Sequence, residues 1–138
     1  GLSIPPEACH QGIGFEHMFD CFDYDGISRE EAYRRWCIPP KMLQQTNDSD
    51  RSLLVGYEDT TRFRLERYDI TGRCDIHTNR VFCGLYILSG SGRIISEDYV
   101  QPVKSGDQFF IPARCGAFTI EAEKDHPIST FRFFGPKQ

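Results

Sequence analysis

The sequence lacks several patterns that would each point to a function. It has six cysteines, but none forms a C-x-x-C pair, which removes the strongest zinc and thioredoxin patterns. The formal net charge is -4, so no excess of Lys and Arg is present to bind a nucleic acid backbone. No apolar run reaches the roughly 20 residues that cross a bilayer, and no signal-peptide pattern opens the chain. We therefore expect a cytoplasmic protein with reduced thiols and neither a nucleic acid nor a membrane partner.

The composition favours a single, mainly β domain. A chain of 138 residues, of which 39% are hydrophobic, can bury one core but is too short for two. Eleven Phe and six Tyr stand against two Met. Aromatic side chains are enriched in strands, so this balance predicts sheet and argues against a helical bundle.

The first 45 residues carry the helix signals. The pattern Ser28-x-x-Glu31 is a capping box, and it predicts a helix from Arg29 to Trp36 that stops before Pro39-Pro40. Before it, Phe15, Met18, Phe19 and Phe22 have the spacing of one helix face. We predict a helical N-terminal segment over residues 1–45, packed on the domain that follows.

From Ser52 onward the hydrophobic period changes to two, and turn residues recur. Short strands at close spacing without intervening helices predict an antiparallel sandwich or small barrel over residues 46–138. In Phe63–Ile70 the alternation slips after Glu66, which predicts a bulge there. The predicted strands are Leu53–Tyr57, Phe63–Ile70, Phe82–Leu88, Arg93–Ser96, Gln108–Ile111, Phe118–Glu121 and Thr130–Phe134.

Two segments resemble the signature segments of the cupins. The first is a strand that ends in a glycine turn at Gly90, and the second runs from Gly106 to Pro112. The resemblance implies a double-stranded β-helix, or jelly-roll barrel, with the two segments meeting at its mouth. In cupins the four usual metal ligands are two histidines, a glutamate and a third histidine. Counting from Gly90 and Pro112, those positions hold His77, Asn79, Cys83 and Ala117.

That count bears on metal binding. Alanine offers no ligand atom, and asparagine is a poor ligand for a first-row divalent ion. We therefore predict no metal and no cofactor in this domain. If a metal does bind, His77 and Cys83 are the candidates for its ligands. Side chains that could instead line the barrel mouth and bind a ligand are His77, Tyr86, Gln108, Arg114 and Glu66.

A second resemblance covers nearly the whole chain. Cys9-His10-Gln11-Gly12, Met18–Tyr24, Leu54–Thr60 and Phe134-Gly135-Pro136 are similar to the C-terminal portion of bacterial class I mannose-6-phosphate isomerase-like proteins. Those proteins have two cupin domains, a zinc-containing catalytic one and a degenerate C-terminal one. The resemblance implies that this chain is the degenerate C-terminal domain. Its partner would then be the N-terminal catalytic half, which would hold the zinc.

The predicted function follows from this resemblance. The parent protein would interconvert mannose 6-phosphate and fructose 6-phosphate, while this domain alone would be inactive and would stabilise the parent or form a wall of its active site. Two alternatives stay open: a stand-alone metal-free cupin that binds a sugar or small acid, and a metal-dependent cupin enzyme with unusual ligands. Exposed sheet edges favour a homodimer. A basic patch could meet a sugar phosphate; it consists of Arg29, Arg34, Arg35 and Lys41.

Overall fold

The computed structural model describes residues 3–137. The chain divides into two compact units, with the boundary between Cys37 and Ile38. Within residues 3–137, the first unit holds three α-helices and the second holds ten strands. No helix among the described residues is long and apolar enough to cross a membrane.

The first unit consists of short helices with no buried residues. Helices α1 (Pro6–Cys9), α2 (Phe15–Phe19) and α3 (Arg29–Trp36) follow one another. The helix predicted from the capping box is confirmed, because Ser28 Oγ accepts a hydrogen bond of 3.1 Å from the Glu31 amide. The predicted apolar face is confirmed in part, since α2 ends at Phe19, before Phe22.

This cap gives the first testable prediction. Replacing Ser28 with alanine removes the side-chain acceptor and should destabilise α3 by about 0.5–2 kcal/mol. We expect faster hydrogen exchange at the amide of Glu31, whose hydrogen bond is lost. The matched control is Ser28→Thr, which keeps a hydroxyl acceptor and should exchange at nearly the original rate. Equal exchange in Ser28→Ala and the unchanged chain would contradict the role of the cap.

The second unit is a two-sheet β-structure. One sheet has the strand order β1-β2-β3-β10-β5-β8 and the other the order β4-β9-β6-β7, and every paired strand is antiparallel. A short 3-10 helix, Ala113–Cys115, follows β8. The strands are β1 Lys41–Gln45, β2 Ser49–Val55, β3 Arg64–Ile70, β4 Arg73–His77, β5 Cys83–Ser89, β6 Ser91–Ser96, β7 Tyr99–Lys104, β8 Gln108–Ile111, β9 Ala117–Ala122 and β10 Ile128–Phe134.

The hydrophobic core lies between the two sheets. Alternate residues of each central strand point inward, as the two-residue period of a strand requires. Their burial removes apolar surface from water, which is the main force that holds the sheets together. The fully buried members are Ile70, Cys83, Leu85, Ile87, Ile120 and Ile128. All six cysteines are unpaired, and Cys74 and Cys83 are buried.

All seven predicted strands are present within a few residues of their expected bounds, but the structure has three more. Residues 41–45, assigned from sequence to the helical segment, form β1 instead. The other two unpredicted strands are β4 and β7. β4 has only five residues, and β7 contains Pro102, a residue type that argues against a central strand. β7 lies at the edge of its sheet, and an edge strand tolerates a proline because one side of it needs no ladder hydrogen bonds.

The predicted bulge after Glu66 is not on β3. Glu66, Tyr68 and Ile70 are all buried while Arg67 is exposed, so β3 alternates regularly. The pairing shifts instead on the neighbouring strand, where Leu53 lies opposite Glu66 and Val55 lies opposite Leu65. The apolar alternation slips in the sequence because the charged Glu66 takes an inward position and the apolar Leu65 beside it does not.

Candidate functional site

An arginine is buried inside the barrel, next to the first residue of β5. Arg132 on β10 is only 3% exposed. Its Nε donates to Cys83 Sγ over 3.2 Å, Nη2 to the His77 carbonyl oxygen over 2.9 Å, and Nη1 to the Tyr68 hydroxyl over 3.4 Å. The guanidinium group therefore fills the space next to Cys83.

A buried carboxylate lies beside this arginine. Glu66 has no exposed surface and accepts hydrogen bonds from Arg51 Nε at 3.0 Å and Arg51 Nη2 at 2.8 Å, a bidentate pairing. Arg64 Nη2 lies 2.6 Å from the same carboxylate. Burial alone would raise the pKa of Glu66, but the hydrogen bond from Arg51 and the charges of Arg51 and Arg64 outweigh it, so the pKa is lowered. Glu66 is thus ionised at neutral pH.

Tyr68 joins the two charged groups. Its hydroxyl donates to Glu66 Oε2 over 3.0 Å and accepts from Arg132. Burial first, and then the charge of Glu66, raise the pKa of Tyr68 to about 12. The phenol therefore keeps its proton and stays a donor to Glu66. We call these linked side chains the arginine cluster: Arg51, Arg64, Glu66, Tyr68 and Arg132.

The structure revises the count of cupin ligand positions. On β4, Ile76 is buried and His77 is exposed, and Thr78 just after the strand is again buried. The inward pair is therefore Ile76 and Thr78, one residue earlier than the pair His77 and Asn79 chosen from sequence. Three residues separate Asn79 from Cys83, and four separate Thr78 from Cys83. The cupin pattern has three or four residues at this place, so it admits both alignments.

The fourth position shifts in the same way. Ala117 is exposed and pairs with His77, while the next residue, Phe118, is buried opposite Ile76. The side chains that face inward at the four positions are thus those of Ile76, Thr78, Cys83 and Phe118. The Thr78 hydroxyl donates to the Ala113 carbonyl oxygen over 3.0 Å. None of the four is an imidazole or a carboxylate.

These residues do not fit a zinc ion. Within residues 3–137, no group of three or more His, Cys, Asp and Glu side chains is arranged to hold a metal. Of the two candidate ligands, Cys83 faces the positively charged Arg132 and His77 exposes its ring on the outer side of β4. A cation beside the thiol disfavours a second cation at the same place.

The predicted barrel-mouth residues separate into three places. Glu66 lies inside, in the arginine cluster. His77 and Arg114 line an open groove of about 910 Å³ together with Arg80. Tyr86 and Gln108 pair with each other on β5 and β8, but they alternate with the inward-facing Leu85 and Phe109 and so lie on the outer face of the larger sheet. These two side chains therefore do not face the barrel interior, and ligand binding by any of the five stays a prediction.

Three of the four residues of the predicted basic patch are paired with acidic groups. Arg34 and Arg35 both pair with Glu31 on α3. In the second unit, Lys41 Nζ lies 2.8 Å from Glu58 Oε1. These pairs weaken the case for a phosphate site at the patch.

Sequence reasoning named Glu66 but missed the arginines around it, namely Arg51, Arg64 and Arg132. One signal was available: Glu66 interrupts an apolar alternation, and a carboxylate at an inward position needs a cationic partner. Arg64 is two residues away on the same strand, but Arg51 and Arg132 come from other strands. Only the strand order β2-β3-β10 brings them to Glu66.

The two glycine turns predicted to meet do so. The Ser105 amide donates to the Gly90 carbonyl oxygen over 3.1 Å, and the Gly106 amide donates to the Ile87 carbonyl oxygen over 2.8 Å. They meet at the Ser89 end of β5, whereas Cys83 begins the strand at its other end. Two antiparallel sheets joined through these turns define a cupin jelly roll.

The chain shares this fold with a cupin-2 domain protein from Rhodospirillum rubrum, with a TM-score of 0.58 and 17% identity over 72% of this chain and 71% of that one.

The sequence model described as "Mannose-6-phosphate isomerase, cupin domain" matches residues 56–127, just over half of the chain. This chain therefore belongs to the family of mannose-6-phosphate isomerase cupin domains. It is 34% identical over 110 residues to the putative mannose-6-phosphate isomerase YvyI of Bacillus subtilis, a match that covers 75% of this chain and 35% of that protein.

A solved structure with the same fold is the mannose 6-phosphate isomerase from Bacillus subtilis. It matches with a TM-score of 0.58 and 24% identity over 70% of this chain and 28% of that one. The chain spans between 21% and 35% of the length of the curated relatives it matches. The activity of those longer proteins therefore does not by itself describe this domain.

Proposed function

We propose that this chain is a non-catalytic, metal-free cupin domain from the C-terminal part of a mannose-6-phosphate isomerase-like protein. The observation that carries the proposal is Arg132, whose guanidinium group lies against Cys83 where the cupin pattern expects a carboxylate ligand. The other inward positions offer Ile76, Thr78 and Phe118. With no ligand set, the domain has no zinc with which to polarise a sugar oxygen.

Such a domain would act through its surface and its stability. Its partner would be the catalytic, zinc-containing cupin in the N-terminal part of the parent protein, for which it would supply a scaffold or a wall of the active site. The family membership of the chain supports this role. So does the small share of each relative that it covers, which leaves room for a second domain in those proteins.

A zinc titration tests the metal-free state. After chelation and dialysis, we expect calorimetry to show no tight one-to-one zinc site in the chain. Exposed thiols could still bind zinc weakly; they belong to Cys9, Cys21 and Cys37. A Cys83→Ser variant separates the two sources, because any heat that it retains comes from elsewhere. A tight site lost in both Cys83→Ser and His77→Ala would overturn the proposal.

An activity assay tests the non-catalytic role. We expect the chain, with or without added zinc, not to convert mannose 6-phosphate to fructose 6-phosphate above the buffer rate. A full-length mannose-6-phosphate isomerase serves as the positive control for the assay. Turnover by the chain that persists after purification to homogeneity and disappears on chelation would contradict the proposal.

A further inference from the structure

The arginine cluster carries more positive charge than its own carboxylate balances. A cavity of about 190 Å³ is lined by Arg51, Arg64, Arg132 and Glu66. With three guanidinium groups and one carboxylate, the wall has a formal charge of about +2 at neutral pH, because arginine stays protonated in proteins. Tyr57, Thr78 and Asn79 add polar side chains to the same wall.

Arg132 has no carboxylate of its own. Its three hydrogen bonds go to a thiol, a phenol and a backbone carbonyl, all neutral groups. The ring of Phe134 lies 4.6 Å from the guanidinium carbon and gives a cation–π contact. Such a contact offsets only part of the cost of taking a charge out of water. A buried cation with neutral partners is a poor structural element but a good receptor for an anion.

Arg64 points to the same cavity independently. Its Nη2 binds Glu66, but its Nε is buried and has no hydrogen-bond partner within residues 3–137. Buried polar groups are nearly always paired, so an unpaired donor calls for an unseen partner. The ring of Phe134 also lies 5.8 Å from the Arg64 guanidinium carbon, which places Arg64 and Arg132 beside one ring.

From these observations we infer that the cavity binds a small oxyanion, that is, one carboxylate or phosphate group, between Arg64 and Arg132. The forked donors of a guanidinium match the oxygen pairs of both groups. The site rests on the proposed function in one respect, since it needs a barrel interior free of metal. The bound anion would neutralise the excess charge and supply the missing partner of Arg64 Nε.

Calorimetry with simple anions tests the inference. The zinc-free chain in Tris chloride buffer is titrated with inorganic phosphate and, separately, with acetate, against sodium chloride of the same ionic strength. We expect one saturable site for at least one of the two oxyanions and none for chloride. The comparison of phosphate with acetate decides which oxyanion the site prefers.

A pair of variants on β3 locates the site. Arg64→Gln removes a cavity arginine and should weaken anion binding by at least about tenfold, because a charge-assisted hydrogen bond is lost. Arg67→Gln is the matched control, since Arg67 is an arginine on the same strand, exposed on its other face and paired with Asp69. Arg67→Gln should bind the anion as tightly as the unchanged chain does. Thermal melting followed by circular dichroism checks that both variants are folded.

Two results would overturn the inference: no saturable binding of either oxyanion, or equal weakening in Arg64→Gln and Arg67→Gln. Neither result affects the proposed function, which predicts the absence of zinc and not the presence of an anion. Phosphate that binds only after zinc is added would contradict both proposals. The zinc-free titration and its repeat with zinc therefore distinguish the two failures.

Discussion

Replacing Glu66 with glutamine is expected to destabilise the domain by about 3–5 kcal/mol, the cost of breaking a buried ion pair from one side. The carboxylate has no exposed surface, accepts hydrogen bonds from Arg51 and Tyr68, and forms an ion pair with Arg64. Glutamine keeps the shape but not the charge, so Arg51, Arg64 and Arg132 would face one another without a counter-charge. Urea unfolding followed by circular dichroism measures the change in the free energy of unfolding.

The matched control lies on the same strand. Asp69 accepts from Arg67 over 2.9 Å, but both side chains are 46% exposed. Exposed ion pairs contribute little, so Asp69→Asn should change the free energy of unfolding by about 0.2–1 kcal/mol. If Glu66→Gln costs no more than Asp69→Asn, the arginine cluster is not the stabilising centre that its burial implies.

The lowered pKa of Glu66 adds a pH dependence with a definite sign. A carboxylate with a depressed pKa contributes stability above its unfolded-state pKa of about 4.3, and that stability is lost as the pH falls through the folded-state pKa. Protonated Glu66 resembles the glutamine of the variant. We therefore expect the difference in unfolding free energy between the unchanged chain and Glu66→Gln to be full at pH 7 and to shrink below about pH 4. A constant difference would show that charge is not its cause.

The strands could be predicted from sequence because each is a local pattern. Alternation of apolar residues bounded by turn residues gave seven of the ten, and the capping box at Ser28 gave α3 with its bounds. β1 was missed because Lys41–Gln45 has exposed side chains throughout, so no alternation marks it. β7 was missed because Pro102 normally excludes a strand, and only its edge position in the sheet permits it.

The site was harder to predict because it depends on which face of each strand is inward. A shift of one residue moves every side chain to the other face. The sequence alignment placed His77 inside, whereas the burial of Ile76 and Thr78 shows that it lies outside. The cluster around Arg132 combines the consecutive strands β2 and β3 with β10, the last strand of the chain, and no spacing rule within one segment predicts that juxtaposition.

Replacing Gly90 with alanine is the second change with a large expected effect. The glycine has φ of +87°, and an added Cβ would lie 2.1 Å from the Pro127 carbonyl oxygen and 2.8 Å from Ile128 Cα. These are backbone atoms at the start of β10, so the strand itself must move to make room. β10 carries Arg132 and pairs with both β3 and β5, and a shift there disturbs the core as well as the arginine cluster.

Gly106 provides the matched control because it has nearly the same φ without the crowding. Its φ is +92°, and a Cβ would meet no atom within 4 Å. Gly106→Ala should therefore cost only the strain of a left-handed conformation, about 1–2 kcal/mol. Gly90→Ala carries that strain plus an overpacking cost of about 1–3 kcal/mol. Urea unfolding of the two variants under the same conditions isolates the crowding cost. Equal losses would mean that the turn at Gly90 can move away from β10 without disturbing the strands it joins.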